Sequence, residues 1–425
     1  MKPLPFITSL IKYSRVSQFS MHGLCIGPTS LSSIRQRMNI CRCINKNLLW
    51  YFPFFLLLFS CADPVSDAKK APKTLINKDS IDQIKKNNHF SQKSKLLNSL
   101  FEKKAKTIGF NGCVLIAQHG QIIYKNMFGF SNLKTKDSLK INSAFQLAST
   151  SKPLTAAAIL ILKEQNKLKL TDDIRQFFPN FPYSKITVEM LLTHRSGLSN
   201  YIYFGEPYCD ANNCYNGKIF DNNSVIQIMI DTKPQPYASP DKKFEYCNTN
   251  YALLASIVEK VSGMSFSNFM VQNIFKPLEM NDTWVHSPEN DTLYKNKTVG
   301  HTPKGGIEKE VYADYVIGDK GIYSTVEDLF KWNQALYSEK ILKKKTLEEA
   351  FTGYSNEHKG KRNYGYGWRM IDEGEGNKIV YHNGWWHGYG SLFFRGLNDQ
   401  TTIILLSNKY NSNMYHIEDV LAILK

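Results

Sequence analysis

Apolar side chains recur with two different periods between residues 92 and 425, and these periods predict the order of the secondary structure. Residues 94–107 have leucines and a phenylalanine at helical spacing, and the apolar runs 112–117 and 121–129 follow as strands joined by a short hairpin. An Ala/Leu/Ile-rich helix is predicted over 150–166. Further helices are predicted over 186–193, 250–262, 265–275, 327–337 and 415–424, and further strands over 377–383, 389–395 and 401–407.

The strands therefore lie at both ends of this region, with helices between them. That order favours one antiparallel sheet assembled from both ends of the chain, with a helical domain inserted in the middle. We expect a single domain of the α/β (α+β) class over 92–425. Its α/β part would comprise about 92–165 and 300–425, and its helical part about 166–299.

The N-terminal region has the features of a targeting segment. Residues 47–60 are almost wholly apolar, but 14 residues are fewer than the ~20 that a membrane-spanning helix needs. Arg42 and Lys46 precede this run, which ends at Ser60 and is followed by Cys61. A positive segment, a short apolar segment and a small residue at the end are typical of a secretory signal peptide, here residues 1–60. The alternative is a buried or single-pass hydrophobic helix.

Leu58-Phe59-Ser60-Cys61 resembles a bacterial lipobox, which implies that Cys61 is lipidated and becomes the mature N-terminus. Met38 is an alternative start that would give a signal of ordinary length. Residues 61–91 are polar and without an apolar period, and they are expected to form a flexible tether. The protein is therefore expected outside the cytoplasm, attached to a membrane by a lipid anchor at Cys61.

Composition and charge narrow the range of functions. Hydrophobic residues make up 42% and charged residues 21% of the 425, which excludes whole-chain disorder, collagen and coiled coil. The formal net charge is +16, but residues 1–60 hold seven Lys/Arg and no Asp/Glu, so the remainder carries +9. This charge is scattered, and no nucleic-acid partner is expected. Eight cysteines form no CxxC pair, and there is no GxGxxG or GxxxxGK[ST] motif, so neither a metal nor a nucleotide cofactor is expected.

The pattern Ser149-Thr150-Ser151-Lys152 is one of five Ser-x-x-Lys matches, and it alone opens a long apolar helix. Positions i and i+3 share a helix face, so Lys152 can reach the Ser149 hydroxyl. The N–H groups at a helix N-terminus suit a developing oxyanion. A serine hydroxyl needs a base to become nucleophilic, and a lysine can be that base if burial or a nearby cation disfavours its charged form. The alternative is a capping serine followed by a solvated lysine.

A second pattern, Tyr246-Cys247-Asn248, lies on a loop before the helix near Tyr251. A phenol can relay protons, and an amide can hold a substrate carbonyl or the lysine. Because Tyr-x-Asn also occurs at Tyr124, Tyr294 and Tyr354, a buried tyrosine beside an Asx turn is the alternative interpretation.

A third pattern, His382-Asn383-Gly384, ends a predicted strand. Glycine lets a substrate backbone approach a strand edge closely, and the N–H of Trp385 could supply an oxyanion contact. The alternative for His382 is a strand-end histidine bonded to backbone. Trp385 and Trp386 are interpreted either as a wall of the cleft or as core packing.

Taken together and in this order, the three patterns resemble the serine β-lactamase-related family, which includes class C β-lactamases, D-alanyl-D-alanine carboxypeptidases, D-aminopeptidases and related esterases. The resemblance covers about 92–425. Further stretches carry it: LLTHRSGL at 191–198, NTNYALLASIVEKVSG at 248–263, IFKPLEMNDT at 274–283, GDKGIYSTVEDLFKW at 318–332 and HNGWW at 382–386.

The resemblance implies a five-stranded antiparallel sheet flanked by helices, an inserted all-α domain, and an active site between the two parts. It implies a serine hydrolase with no metal or organic cofactor. The roles it implies are these: Ser149 is the acylated nucleophile, Lys152 the base, Tyr246 the proton relay, Asn248, His382, Asn383 and Gly384 the substrate-binding residues, and the backbone N–H groups of Ser149 and Trp385 the oxyanion hole.

The third pattern departs from that of many β-lactamases, which begins with Lys and has Thr in the middle. A histidine attracts a carboxylate less than a lysine does, so efficient β-lactamase activity is less favoured at His382 and Asn383. D-amino peptides, esters and β-lactams remain open as substrates. The alternative function is a penicillin-binding-type protein that is acylated without efficient turnover.

Residues 200–223 are expected to be an insertion over the site. Tyr201, Tyr203, Phe204, Tyr208 and Tyr215 either line an acyl pocket or pack locally under a loop. In an oxidising compartment, Cys209 and Cys214 can close a small disulfide loop.

Overall fold

The computed structural model describes residues 78–212, 219–290, 293–357, 360–374 and 376–425. The expected signal peptide, Met38, Cys61, the first part of the tether, Cys214 and Tyr215 lie outside the described residues. Residues 85–425 form one compact unit, and the fold below is that of this unit.

The helices of the described residues include those expected from the sequence, and three more form at Tyr201–Asn212, Asn222–Thr232 and Lys344–Ala350. Their bounds are α1 (Lys78–Thr107), α2 (Lys152–Glu164), α3 (Val188–Leu192), α4 (Tyr201–Asn212), α5 (Asn222–Thr232), α6 (Asn248–Ser262), α7 (Phe266–Met270), α8 (Val326–Ala335), α9 (Lys344–Ala350) and α10 (Glu418–Leu424).

Most strands come from both ends of the unit, as expected, but the two-residue strand Trp284–Val285 lies in the part expected to be helical. Their bounds are β1 (Gly112–Gln118), β2 (Gln121–Phe128), β3 (Phe130–Asn132), β4 (Asp137–Ser138), β5 (Phe145–Gln146), β6 (Trp284–Val285), β7 (Ile322–Ser324), β8 (Arg362–Tyr364), β9 (Arg369–Asp372), β10 (Lys378–Trp386), β11 (Tyr389–Gly396) and β12 (Thr402–Ser407).

The main sheet is antiparallel, in the order β2-β1-β12-β11-β10-β9-β8. Within the described ranges it therefore has seven strands and not the expected five. The additional pair is the short hairpin of β8 and β9, which extends the sheet beyond β10. These strands have only three and four residues and no clear alternation of apolar and polar positions, so period-based reasoning does not detect them.

Helix α1 begins at Lys78, within the segment expected to be an irregular tether up to residue 91. The run from Lys78 to Thr107 contains no glycine or proline, so nothing in it interrupts a helix. Its C-terminal half packs through Leu97 and Phe101, which are completely buried. No helix of the described residues combines the length and apolarity needed to cross a membrane.

The middle of the unit is helical, and it packs against α2. Helix α6 is buried along most of its length and ends at Gly263, whose φ of 70° is the left-handed conformation that terminates many helices. Helix α2 has Pro153 in its first turn, where a missing N–H costs nothing, and it is buried from Lys152 to Leu162. The N-termini of α2 and α6 and one edge of β10 meet, and this junction holds the candidate residues.

Candidate active site

Ser149 lies in a single 3₁₀ turn, Ala148–Ser151, that leads directly into α2. The preceding residue, Ala148, has a φ of +48°, a left-handed conformation that costs energy in a residue other than glycine. Thr150 anchors the turn to the sheet, because its Oγ1 lies 2.8 Å from Ser391 Oγ on β11. Ser149 itself is half-buried, so the turn presents its hydroxyl at the edge of the site.

Lys152 is completely buried, although lysine is almost never buried without partners. Its Nζ donates hydrogen bonds to Ser149 Oγ at 3.1 Å, to Asn248 Oδ1 at 2.8 Å and to the main-chain oxygen of Asp319 at 2.9 Å. The first two predicted patterns are therefore joined through one amino group, as the interpretation of Lys152 as a base requires.

Tyr246 is half-buried beside this lysine, and its ring centroid is 5.0 Å from Lys152 Nζ. The ring lies between two further groups: the His194 imidazole at 4.4 Å and the Arg369 guanidinium at 4.9 Å, both measured to ring centroids. Asn248 follows as the first residue of α6. This short segment thus places a phenol and an amide on the same side of Lys152.

His382 is completely buried on β10, and both of its ring nitrogens have partners inside the protein. Nε2 lies 3.2 Å from the Tyr364 hydroxyl, and Nδ1 lies 2.8 Å from the main-chain oxygen of Asn383. Burial lowers the pKa of His382 well below its usual value, and the positive charges of Arg369 and Lys152 act in the same direction. The imidazole is therefore neutral at physiological pH and attracts no carboxylate by charge.

Gly384 is the point where β10 passes the nucleophile turn. A Cβ at this position would lie 2.4 Å from Leu147 O, 2.6 Å from Ser391 Oγ and 2.8 Å from Ser149 N, so only glycine fits. Strand β9 pairs with β10 only as far as Tyr381, whereas β11 pairs with it through Trp386. One edge of β10 beyond Tyr381 is therefore not covered by β9.

The two tryptophans after Gly384 have different environments. Trp385 is 52% exposed and packs against the Tyr410 ring at 5.3 Å. Trp386 packs against the core, and its Nε1 donates a 2.6 Å hydrogen bond to Asp314 Oδ1. Trp386 therefore contributes to core packing. Trp385 is an exposed side chain beside the third pattern.

Sequence reasoning did not single out Arg369, which lies on β9 opposite Tyr381. Its guanidinium stacks on Tyr246, and its buried Nε contacts no hydrogen-bond acceptor among the described residues. No short motif marks this arginine. Its proximity to Tyr246 arises from the β8–β9 hairpin, which the sequence did not predict either.

Tyr201, expected on an insertion over the site, lies on α4 and is completely buried. Its hydroxyl donates a 3.0 Å hydrogen bond to Asp319 Oδ2. It therefore supports the segment that contacts Lys152 and does not line an acyl pocket, whereas Tyr203 is 61% exposed. Phe204 and Tyr208 are partly buried against the core.

The cysteine predictions are tested only in part, because Cys214 lies outside the described residues. Cys209 is buried on α4. Cys113 and Cys247 are buried free thiols, and burial raises their pKa values to about 12 and about 11. Within the described ranges, no group of three or more His, Cys, Asp and Glu side chains is arranged to hold a metal ion.

Comparison with known proteins places this geometry in context. Residues 97–425 match the family described as Beta-lactamase. The chain is 36% identical over 336 residues to "Penicillin-binding protein 4*" of Bacillus subtilis (strain 168), and the match covers 76% of this chain and 73% of that protein.

Solved structures have the same fold. The octameric penicillin-binding protein homologue from Pyrococcus abyssi superposes with a TM-score of 0.67 at 26% identity, over 78% of this chain and 77% of that chain. The penicillin binding protein from Bacillus halodurans gives a TM-score of 0.65 at 23% identity, over 76% and 97% of the two chains. The second likeness concerns the fold alone.

Proposed function

Because the chain belongs to the β-lactamase family of serine acyl-transfer proteins, we propose that it is a serine hydrolase that cleaves amide or ester substrates through an acyl-enzyme. One observation carries this proposal: the Nζ atom of the completely buried Lys152 lies 3.1 Å from the Ser149 hydroxyl. A serine hydroxyl becomes nucleophilic when an adjacent base accepts its proton, and this distance permits direct transfer.

In the acylation step, Ser149 Oγ attacks the substrate carbonyl carbon while its proton passes to the neutral amine of Lys152. The tetrahedral intermediate then expels the amine or alcohol, which takes up a proton by way of the Tyr246 phenol. In the second step, water attacks the acyl-enzyme ester, releases the acid and restores the Ser149 hydroxyl. The contact of the Tyr246 ring with Lys152 Nζ supports this relay.

The negative charge that develops on the carbonyl oxygen needs nearby N–H donors. The backbone N–H groups of Ser149 and Trp385 are proposed for this role, and the close approach of Gly384 to Ser149 N supports it. Loss of one such donor typically costs about 3 kcal/mol of transition-state stabilisation. Asn248 would orient the substrate as well as Lys152.

The substrate is proposed to carry a carboxylate near the scissile bond, as a peptide C-terminus or a β-lactam does. Because His382 is buried and neutral, it does not supply a cation for this group. The Arg369 guanidinium beside Tyr246 does supply one, since its buried Nε has no acceptor among the described residues. Asn383, half-buried on β10, would add a neutral hydrogen bond.

A second candidate is a penicillin-binding-type protein that forms the acyl-enzyme but hydrolyses it slowly. A relative named as a penicillin-binding protein favours it. The two candidates share the first step and differ in the second, so one experiment separates them.

That experiment is an intact-mass time course of the mature protein with a penicillin, beside Ser149→Ala. We expect a Ser149-dependent adduct with the mass of the intact drug. A persistent adduct supports the penicillin-binding alternative, and a transient adduct with consumed drug supports hydrolysis. If no adduct forms and a chromogenic ester is not turned over either, the acyl-transfer proposal is wrong.

The carboxylate proposal has its own comparison. Arg369→Gln should slow acylation by the penicillin far more than acylation by an uncharged ester, whereas Arg362→Gln on the neighbouring strand β8 should slow neither. An equal loss on both substrates would contradict a role in carboxylate recognition.

We also propose that Cys61 is the lipidated N-terminus of a protein held at the outer side of a membrane. The apolar run 47–60 followed by Cys61 supports this. Membrane fractionation tests it: Cys61→Ala should move the protein from the membrane fraction to the soluble fraction.

A further inference from the structure

Lys320 is 2% exposed and lies behind the Ser149–Lys152 pair, on the segment that leads into β7. Its Nζ donates hydrogen bonds to the Tyr201 hydroxyl at 2.5 Å and to Val316 O at 3.0 Å. The same atom is 3.6 Å from Asp319 Oδ1. A second buried lysine so near the proposed base needs a physical explanation, because removing an ammonium from water is costly.

Asp319 connects the two lysines. Its carboxylate accepts the hydrogen bond from Tyr201 and pairs with Lys320, while its main-chain oxygen accepts the 2.9 Å hydrogen bond from Lys152 Nζ. The position of that carbonyl therefore depends on contacts made by the Lys320 ammonium.

Lys320 also contacts the end of the third pattern. Its Nζ lies 4.7 Å from the ring centroid of Trp386, whose Nε1 is bonded to Asp314. An ammonium over an indole is an attractive contact, and more so when water is excluded. Because Trp386 follows Trp385, the same charge holds the segment that contains the proposed oxyanion donor.

We propose that Lys320 is a positioning residue for acyl transfer, whose buried charge fixes the Asp319 carbonyl that contacts Lys152 and also fixes Trp386. This inference rests on the function proposed above. It assigns to Lys320 no contact with the substrate, since the side chain is enclosed by Tyr201, Asp319 and Trp386.

Three titratable groups lie around Lys320: the carboxylates of Asp319 and Asp314 and the amino group of Lys152. Burial lowers the pKa of Lys320. The carboxylates of Asp319 and Asp314 raise it, and Lys152 lowers it further.

Further titratable groups surround Lys152. The phenol rings of Tyr246 and Tyr251 lie 5.0 and 5.6 Å from its Nζ. Burial lowers the pKa values of His194 and His382 well below their usual range, so both rings are neutral. Arg369 lies against the ring of Tyr246.

The test is the acylation rate of Lys320→Met and Lys320→Arg, with Lys309→Met as the control for an exposed lysine. Lys320→Met should acylate about 100-fold more slowly at pH 7, as expected for a displaced catalytic group. Lys320→Arg keeps a cation beside Asp319 and Trp386, so it should recover most of the lost rate. Equal losses in the two variants would overturn the role of the charge.

Asp319→Asn is the second test and keeps the main-chain carbonyl. It removes the carboxylate that pairs with Lys320 and accepts the hydrogen bond from Tyr201, so acylation should slow as well. If Lys320→Met does not fold, this variant decides: an unchanged acylation rate overturns the inference.

The outcomes also separate this inference from the proposed function. If the wild type itself forms no Ser149 adduct with a penicillin or an ester, the proposed function fails. If the wild type is acylated normally and Lys320→Met keeps its rate, the inference about Lys320 alone fails.

Discussion

Lys152 Nζ donates a 2.8 Å hydrogen bond to Asn248 Oδ1, which joins two residues that lie 96 positions apart in the sequence. A neutral amide oxygen accepts this bond without favouring the charged lysine as strongly as a carboxylate would. Asn248→Asp changes only this property, because the two side chains have nearly the same shape. We expect the acidic limb of the acylation profile to move upward by roughly one to three pH units, the usual effect of an adjacent opposite charge.

Asn142→Asp, which alters an exposed asparagine, is the control and should leave the limb in place. An unchanged limb in Asn248→Asp, measured on a folded protein with a penicillin or an ester, would show that Lys152 is not the group whose deprotonation governs acylation.

Gly384→Ala tests the contact between β10 and the nucleophile turn. The new Cβ would lie 2.4 Å from Leu147 O and 2.8 Å from Ser149 N, and neither backbone atom can move without shifting the turn. We expect acylation to fall by at least about 100-fold, as for a lost oxyanion donor. Gly360→Ala, where a Cβ meets nothing within 4 Å, should have no effect on the rate. Equal rates for both variants would place the reacting carbonyl elsewhere.

Local sequence signals predicted those strands and helices whose formation depends on residues close together in the sequence. The apolar runs of β1, β10, β11 and β12 and the long buried helices α2 and α6 lie close to their expected bounds, because each buries a continuous apolar face. The fold class and the family are confirmed by the match over residues 97–425 and by the superposition on solved structures. The contact of Lys152 with Ser149 agrees with the i and i+3 positions of the first pattern.

The remaining features depend on residues that are distant in the sequence. In the sequence, nothing distinguishes Lys320 from a surface lysine, because its partners Tyr201 and Trp386 are distant along the chain. Arg369 reaches the site because β9 pairs with β10. The contact of the Tyr364 hydroxyl with His382 Nε2 likewise comes from the unpredicted strand β8. Whether a polar side chain is buried depends on the residues that pack around it in the folded chain. The spacing of apolar residues along the sequence does not show which residues these are.

The buried histidines predict how stability depends on pH. Burial lowers the pKa values of His194 and His382 well below 6.5, while in the unfolded chain they titrate near that value. As the pH falls below 6.5, the unfolded state therefore binds protons that the folded state does not. Each histidine should then lower the free energy of unfolding by up to about 1.4 kcal/mol per pH unit, with no such loss above about pH 7.5.

Urea unfolding between pH 5 and 8 checks this. His194→Gln should be less stable overall but should show a smaller slope than the wild type, whereas a change at the exposed His89 to Gln should leave the slope unchanged. An equal slope in wild type and His194→Gln would mean that this ring takes up its proton in the folded state.

Arg395 on β11 is a buried charge whose removal should stabilise the protein. It is completely buried, and its Nε donates a 2.7 Å hydrogen bond to Asn333 Oδ1. Its guanidinium packs over the rings of Tyr337 and Phe351 at 4.5 and 5.5 Å, so an apolar chain of similar length can keep this packing.

Replacing buried charged groups by apolar ones is often neutral or stabilising by about 1–4 kcal/mol. Arg395→Met combined with Asn333→Leu should therefore raise the free energy of unfolding, whereas Arg395→Lys should lower it, because a lysine keeps the buried charge and loses the stacking. A loss of stability in the double variant would show instead that the Arg395 charge is compensated in solution and contributes to the fold.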